Sequence, residues 1–264
     1  MIKKTIVTGM VALMSLAAMA LPAKRGLTNV ITLNDGTKVE VSLVGDEFMH
    51  YWQDANGNKY VPTGEANVFK LADASAVSNL TTRALARKAK AHARRAARRN
   101  LSNATDVFQG KKKGLVILVE FTDVKFKNSD SQTLFNRIAN EAGYNEGYFQ
   151  GSVKDYFLAQ SRGQFELDFD VVGPVKLSHN MKYYGGNDEN GYDLHPEEMI
   201  VEACNGIDSK VDFSKYDWDG DGEVDQVYVI YAGYGEADTG NENTIWPHKY
   251  QLSGASMALT LDGV

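Results

Sequence analysis

The chain has 264 residues, room for one large domain or two smaller ones, and an apolar fraction of 43% that is ordinary for a globular protein. Net charge is −6 but unevenly spread: roughly the first hundred residues are net basic, and the chain after Leu101 is strongly acidic. The single cysteine, Cys204, excludes an intramolecular disulfide framework, so stability has to come from elsewhere.

The N-terminus reads as a secretory signal over residues 1–20. Lys3 and Lys4 form a positive start, Ile6 to Leu16 a short apolar run, and Ala18-Met-Ala20 a small-residue cleavage site. The run is too short to span a membrane. The expectation is cleavage near Ala20 and a secreted or periplasmic protein with no stable membrane span.

Residues 21–80 read as a small β-rich unit. Val30 to Leu33, Asp35-Gly36 and Val39 to Leu43 form one hairpin signature; Phe48 to Trp52, Asn56-Gly57 and Lys59 to Val61 form another. Two hairpins bury little, so this unit should lean on something larger.

Residues 81–110 form a basic, alanine-rich linker. Arg83, Arg87, Lys88, Lys90, Arg94, Arg95, Arg98 and Arg99 sit among alanines. Alanine favours helix, while the mutual repulsion disfavours a packed one. Phosphate attraction is possible in principle, but no aromatics are interleaved and the chain is exported, so no nucleic-acid partner is expected. A linker cut by a processing protease that reads basic residues fits better.

The main domain is expected over residues 111–264. Gly114 to Val119 is a continuous apolar run, hence a strand buried on both faces. Ser131 to Ala142 places Leu134, Phe135 and Ile138 on one helical face. Ser152 to Asp155 is a capping box opening a second helix, which Gly163 can end. Phe165, Leu167, Phe169 and Val171 alternate with acids as a half-buried strand. Pro196 with Glu197 and Glu198 opens a further helix, in which Cys204 reads as a small buried residue. This order predicts an α/β (α+β) fold, a mixed sheet with helices.

The most informative stretch is Asp217-Trp-Asp219-Gly-Asp221-Gly-Glu223-Val-Asp225. Carboxylates about 5 Å apart repel by roughly 0.8 kcal/mol per pair even in water. A hard cation relieves that repulsion, and calcium takes a cage of carboxylate and carbonyl oxygens. With Asp217 as position one, Asp219, Asp221, Gly222, Glu223 and Asp225 fall on EF-hand positions three, five, six, seven and nine. Position twelve is Tyr228 rather than Glu, and Gln226 to Tyr231 reads as a strand rather than a helix. The loop therefore reads as a calcium turn feeding a strand, with Asp225 closing the cage.

Several stretches in register resemble a known family. They are Ser152 to Gly163, Val171 to Val175, Tyr183-Tyr-Gly185, Val211 to Asp217, the acidic loop, Tyr231-Ala-Gly-Tyr-Gly-Glu236 and Thr244-Ile-Trp-Pro-His248. Together they resemble the secreted zinc metallopeptidases typified by immune inhibitor A, over about Lys111 to Val264. The resemblance implies the N-terminal part of a zincin-like metallopeptidase domain, preceded by a pro-region and acting on protein or peptide substrates. It carries over the calcium loop, Asp217, Asp219, Asp221, Glu223 and Asp225, as the metal residues. It also implies a catalytic zinc held by an H-E-x-x-H helix.

That motif is absent from this sequence; His195-Pro-Glu-Glu-Met199 comes nearest, with Met in place of the second His. No residue is therefore assigned a catalytic role, and the chain is expected to stop short of its active site and to be inactive alone. A non-catalytic secreted calcium-binding module is the alternative. His248 reads as a structural loop histidine, the Gly233 to Gly235 turn as a plain turn, and Glu236 and Asp238 as a solvated loop.

Overall fold

A computed structural model describes residues 22–65, 67–101 and 107–264. The signal segment expected over residues 1–20 lies outside the described residues.

Five short strands come first: β1 (Thr28–Leu33), β2 (Lys38–Asp46), β3 (Met49–Gln53), β4 (Lys59–Pro62) and β5 (Val68–Leu71). The two hairpins close into a barrel because β5, not foreseen from the sequence, pairs antiparallel with β4 and parallel with β1. Closure removes the free edges that two isolated hairpins would leave. The alternating Ile31, Val41, Leu43, Trp52, Tyr60 and Phe69 fill its interior.

A single helix, α1 (Ala74–Leu101), follows. It starts inside the segment expected to be β-rich and runs through the basic stretch. Most of its described side chains face solvent, and a few touch the barrel and the main domain. The Arg87 guanidinium lies 3.7 Å over the Tyr192 ring, and Lys88 lies 3.7 Å from Asp46. The aromatic face and the carboxylate offset the repulsion among its basic residues.

The main domain is built on β6 (Gly110–Glu120), β7 (Phe165–Lys176) and β8 (Val227–Tyr231), in the order β7-β6-β8. The α+β mixture of helices and sheets is as expected. Among the described residues these three strands run parallel, while the antiparallel strand pairings lie in the barrel, apart from an isolated Asn187–Asp193 bridge. Parallel neighbours need crossover connections, and helices supply them.

Helices α2 (Ser131–Asn140) and α3 (Val153–Gln160) cover one face of the sheet, and α4 (Met181–Gly185) and α5 (Pro196–Asn205) the other. This is why β6 reads as an unbroken apolar run. Leu115, Ile117 and Val119 enter one core cluster, and Val116 and Leu118 enter the other. The Ser152–Asp155 capping box is present as read, with Pro196 at the start of α5. Burial pushes the Cys204 thiol up to about 12, so it is a packing residue rather than a nucleophile. Leu261 to Val264 form a turn, with the Leu261 amide donating to the Val264 carbonyl.

Candidate metal centre

The acidic loop joins a short 3-10 turn (Phe213–Tyr216) to β8. Its glycines carry the backbone where side chains rarely go: Gly220 has φ 75° and Gly222 φ 85°. That curl turns successive amides inward. Asp217 accepts the amides of Gly220 and Asp221 on Oδ1, at 2.8 and 3.2 Å, and that of Gly222 on Oδ2, at 2.9 Å. Asp219 accepts the Asp221 amide, and Asp221 accepts the Glu223 amide. Asp225 closes the loop by accepting the Trp218 amide at 2.6 Å, while its own amide donates to the Tyr216 carbonyl.

Asp217, Asp219 and Asp225 each bring a carboxylate oxygen within 4.8 Å of the other two. Asp221 and Glu223 are not in that group, and both are exposed. An oxygen-only donor set with three anionic charges suits a hard cation such as calcium and is poor for soft metals.

Trp218 anchors the loop to the sheet. Its Nε1 donates to the Lys113 carbonyl at 2.7 Å, and its own carbonyl accepts from Lys112 Nζ at 2.9 Å. Its ring meets Phe165 edge to face. The loop is thereby tied to β6 and β7 at the end where β8 begins.

The histidines do not form a zinc set. His179 and His195 stack on opposite sides of the run around Tyr183, at 3.9 and 4.5 Å from its ring. His248 Nδ1 lies 2.7 Å from the Trp246 carbonyl, a structural bond as read from the sequence. Among the described residues, no His, Cys, Asp or Glu group of three converges besides the aspartate loop. The donors among the described residues do not fit a catalytic zinc.

A second polar cluster was missed by sequence reasoning. It lies where the barrel and α1 meet the main domain. Glu236, read as part of a solvated loop, is 1% exposed at the start of the short helix α6 (Glu236–Thr239); Asp238 is exposed as expected. Glu236 Oε1 accepts from Asn187 at 3.0 Å and lies 3.4 Å from His50 Nε2 of β3. The His50 ring is stacked on Trp246 at 4.1 Å. Asp193 accepts the Trp246 amide, and burial pushes its carboxyl up to about 8, helped by the charge of Glu236. Burial and the same neighbour push Glu242 up to about 7. No spacing rule links these residues, because they come from four separate segments. A weak signal was their setting among Ala and Trp positions that turn out buried.

A family model described as immune inhibitor A peptidase M6, catalytic domain, matches residues 99–262. Among curated proteins, immune inhibitor A of Bacillus thuringiensis subsp. alesti is 26% identical over 184 residues, covering 56% of this chain and 27% of that protein. The chain thus matches about a quarter of that relative's length.

Proposed function

This chain belongs to the immune inhibitor A peptidase M6 family, and from that membership we propose that it supplies the pro-region and the first part of the catalytic domain of a secreted metalloendopeptidase. The carrying observation is the extent of the match. Residues 99–262 take in the whole parallel sheet, its covering helices and the aspartate loop. Protein or peptide chains are the substrate class. Export through a cleaved signal near Ala20 is part of the reading. Among the described residues no helix is long and apolar enough to cross a membrane.

The aspartate loop is read as a calcium site. Asp217, Asp219 and Asp225 supply carboxylate oxygens, Glu223 its carbonyl, and Asp221 an outer oxygen or a water-borne contact. Calcium there holds the start of β8 against β6 in a fold without disulfides. Among the described residues no donor set fits the zinc that a metallopeptidase of this kind would use. The barrel and α1 form the pro-region, with processing between α1 and β6.

The test compares the 264-residue polypeptide with the longest product of its gene, each assayed on casein with zinc and with a chelator. The reading expects chelator-sensitive hydrolysis from the gene product and none from the 264 residues. A gene frame without H-E-x-x-H, whose product leaves casein intact, would sink it.

A further inference from the structure

The seam between the barrel–helix unit and the main domain is held at two matched points. At the first, His50 lies flat on Trp246, 13° from parallel, with Nε2 facing buried Glu236. At the second, Arg87 of α1 lies over Tyr192, and its charge works against the upward shift of the neighbouring Asp193 carboxyl. Each point joins an aromatic ring, a nitrogen-bearing side chain laid on it and a carboxyl shielded from water.

Buried polar atoms sit at both points, the two ring nitrogens of His50 among them. Glu236 Oε2 and Asn187 Oδ1 are buried and accept nothing else. Arg87 Nη1 is likewise buried without a hydrogen bond. A cavity of about 270 Å³ runs between the two points and is walled by both units. The seam is also closed by direct bonds. Tyr192 Oη donates to the Phe48 carbonyl, Arg83 donates to Asn190, and the Lys24 amide donates to the Ala237 carbonyl. Ala237 and Trp246 belong to the same apolar cluster as the barrel interior, so the barrel core is finished by the main domain.

We propose that the face formed by Tyr192, Asp193, Glu236 and Trp246 is a docking surface with two sockets, filled by Arg87 and His50, that keeps the barrel–helix unit bound after the backbone between α1 and β6 is cut. The partner is thus the chain's own N-terminal unit as a separate polypeptide. The biological relevance of the cut rests on the pro-region reading above, whereas retention is measured without reference to it.

The experiment places a site-specific protease sequence between α1 and β6 of the full chain, cuts it, and follows the two pieces by size exclusion and native mass spectrometry. The pieces should co-elute in moderate salt. Arg87→Ala and His50→Ala should each weaken retention about tenfold or more, as expected for buried aromatic and Arg anchors. Glu236→Gln, which keeps shape and removes charge, should also weaken it, and Lys38→Ala on the exposed barrel surface should not. Circular dichroism of each uncut variant separates lost docking from lost folding. Immediate separation of the wild-type pieces overturns the proposal. So does retention that the socket variants leave unchanged, since the apolar cluster alone would then hold the seam. Neither result touches the peptidase reading, which the casein assay decides.

Discussion

Asp225 reaches back across the acidic loop to accept the Trp218 amide at 2.6 Å, and the Trp218 indole in turn donates to the Lys113 carbonyl of β6. The last carboxylate of the loop and the central strand of the sheet are therefore two hydrogen bonds apart. A cation bound by Asp217, Asp219 and Asp225 would act directly on the register of β6 and β8. Trp218→Phe keeps the apolar ring but leaves the Lys113 carbonyl without its donor. A loss of about 1–3 kcal/mol is expected, together with a weaker response to calcium. Denaturant unfolding with and without the ion measures both.

The five acidic residues are not equivalent. Asp217 accepts three amides and belongs to the converging set, whereas Asp221 is exposed and outside it. Asp217→Asn should abolish calcium binding in isothermal titration, and Asp221→Asn should reduce it less. Equal loss from both would mean that Asp221 swings into the cage.

Stability should fall as pH rises from 6.5 to 8. Asp193 is raised from 3.8 to about 8 and Glu242 from 4.5 to about 7, each mainly by burial. Groups raised in the folded state stabilise it fully below their unfolded values and lose that contribution as pH climbs through the folded ones. Burial lowers His248 from 6.5, and its opposing contribution is complete above that value, which sets the lower edge of the window. Over 1.5 pH units Asp193 contributes at most about 2 kcal/mol of the fall. Asp193→Asn keeps an oxygen for the Trp246 amide and should flatten the slope in thermal melts at pH 6.5, 7.25 and 8.

Gly185 ends α4 against the segment that carries Trp246. A Cβ there would stand 2.5 Å from the Ile245 amide nitrogen, so backbone would have to move. Gly185→Ala should cost about 1–3 kcal/mol and loosen the Trp246 segment. Its melting temperature checks the first point, and tryptophan fluorescence the second.

Much of this was legible in the sequence, and for definite reasons. Period-two runs such as Phe165 to Val171, the Ser152 capping box and Pro196 act locally, so local patterns revealed them. The turn of the aspartate loop was legible because its aspartates and glycines lie within one short stretch. The barrel was only half legible, since β5 is four residues long and pairs with β1 across the whole unit. The contact of Arg87 with Tyr192 was not legible, because the two lie more than a hundred positions apart. Glu236 was misread for the same reason. A lone acid after a glycine turn looks solvated until His50 and Asn187 close over it.

The most direct test of the account is calorimetric unfolding of the full chain in saturating calcium and in chelator at one pH and ionic strength. With calcium at about a hundred times its dissociation constant, the gain is about 2.7 kcal/mol, a rise of about 5–10 °C in melting temperature for a domain of this size, and Asp217→Asn should remove it. Identical melts of the wild-type chain in calcium and in chelator would contradict the account.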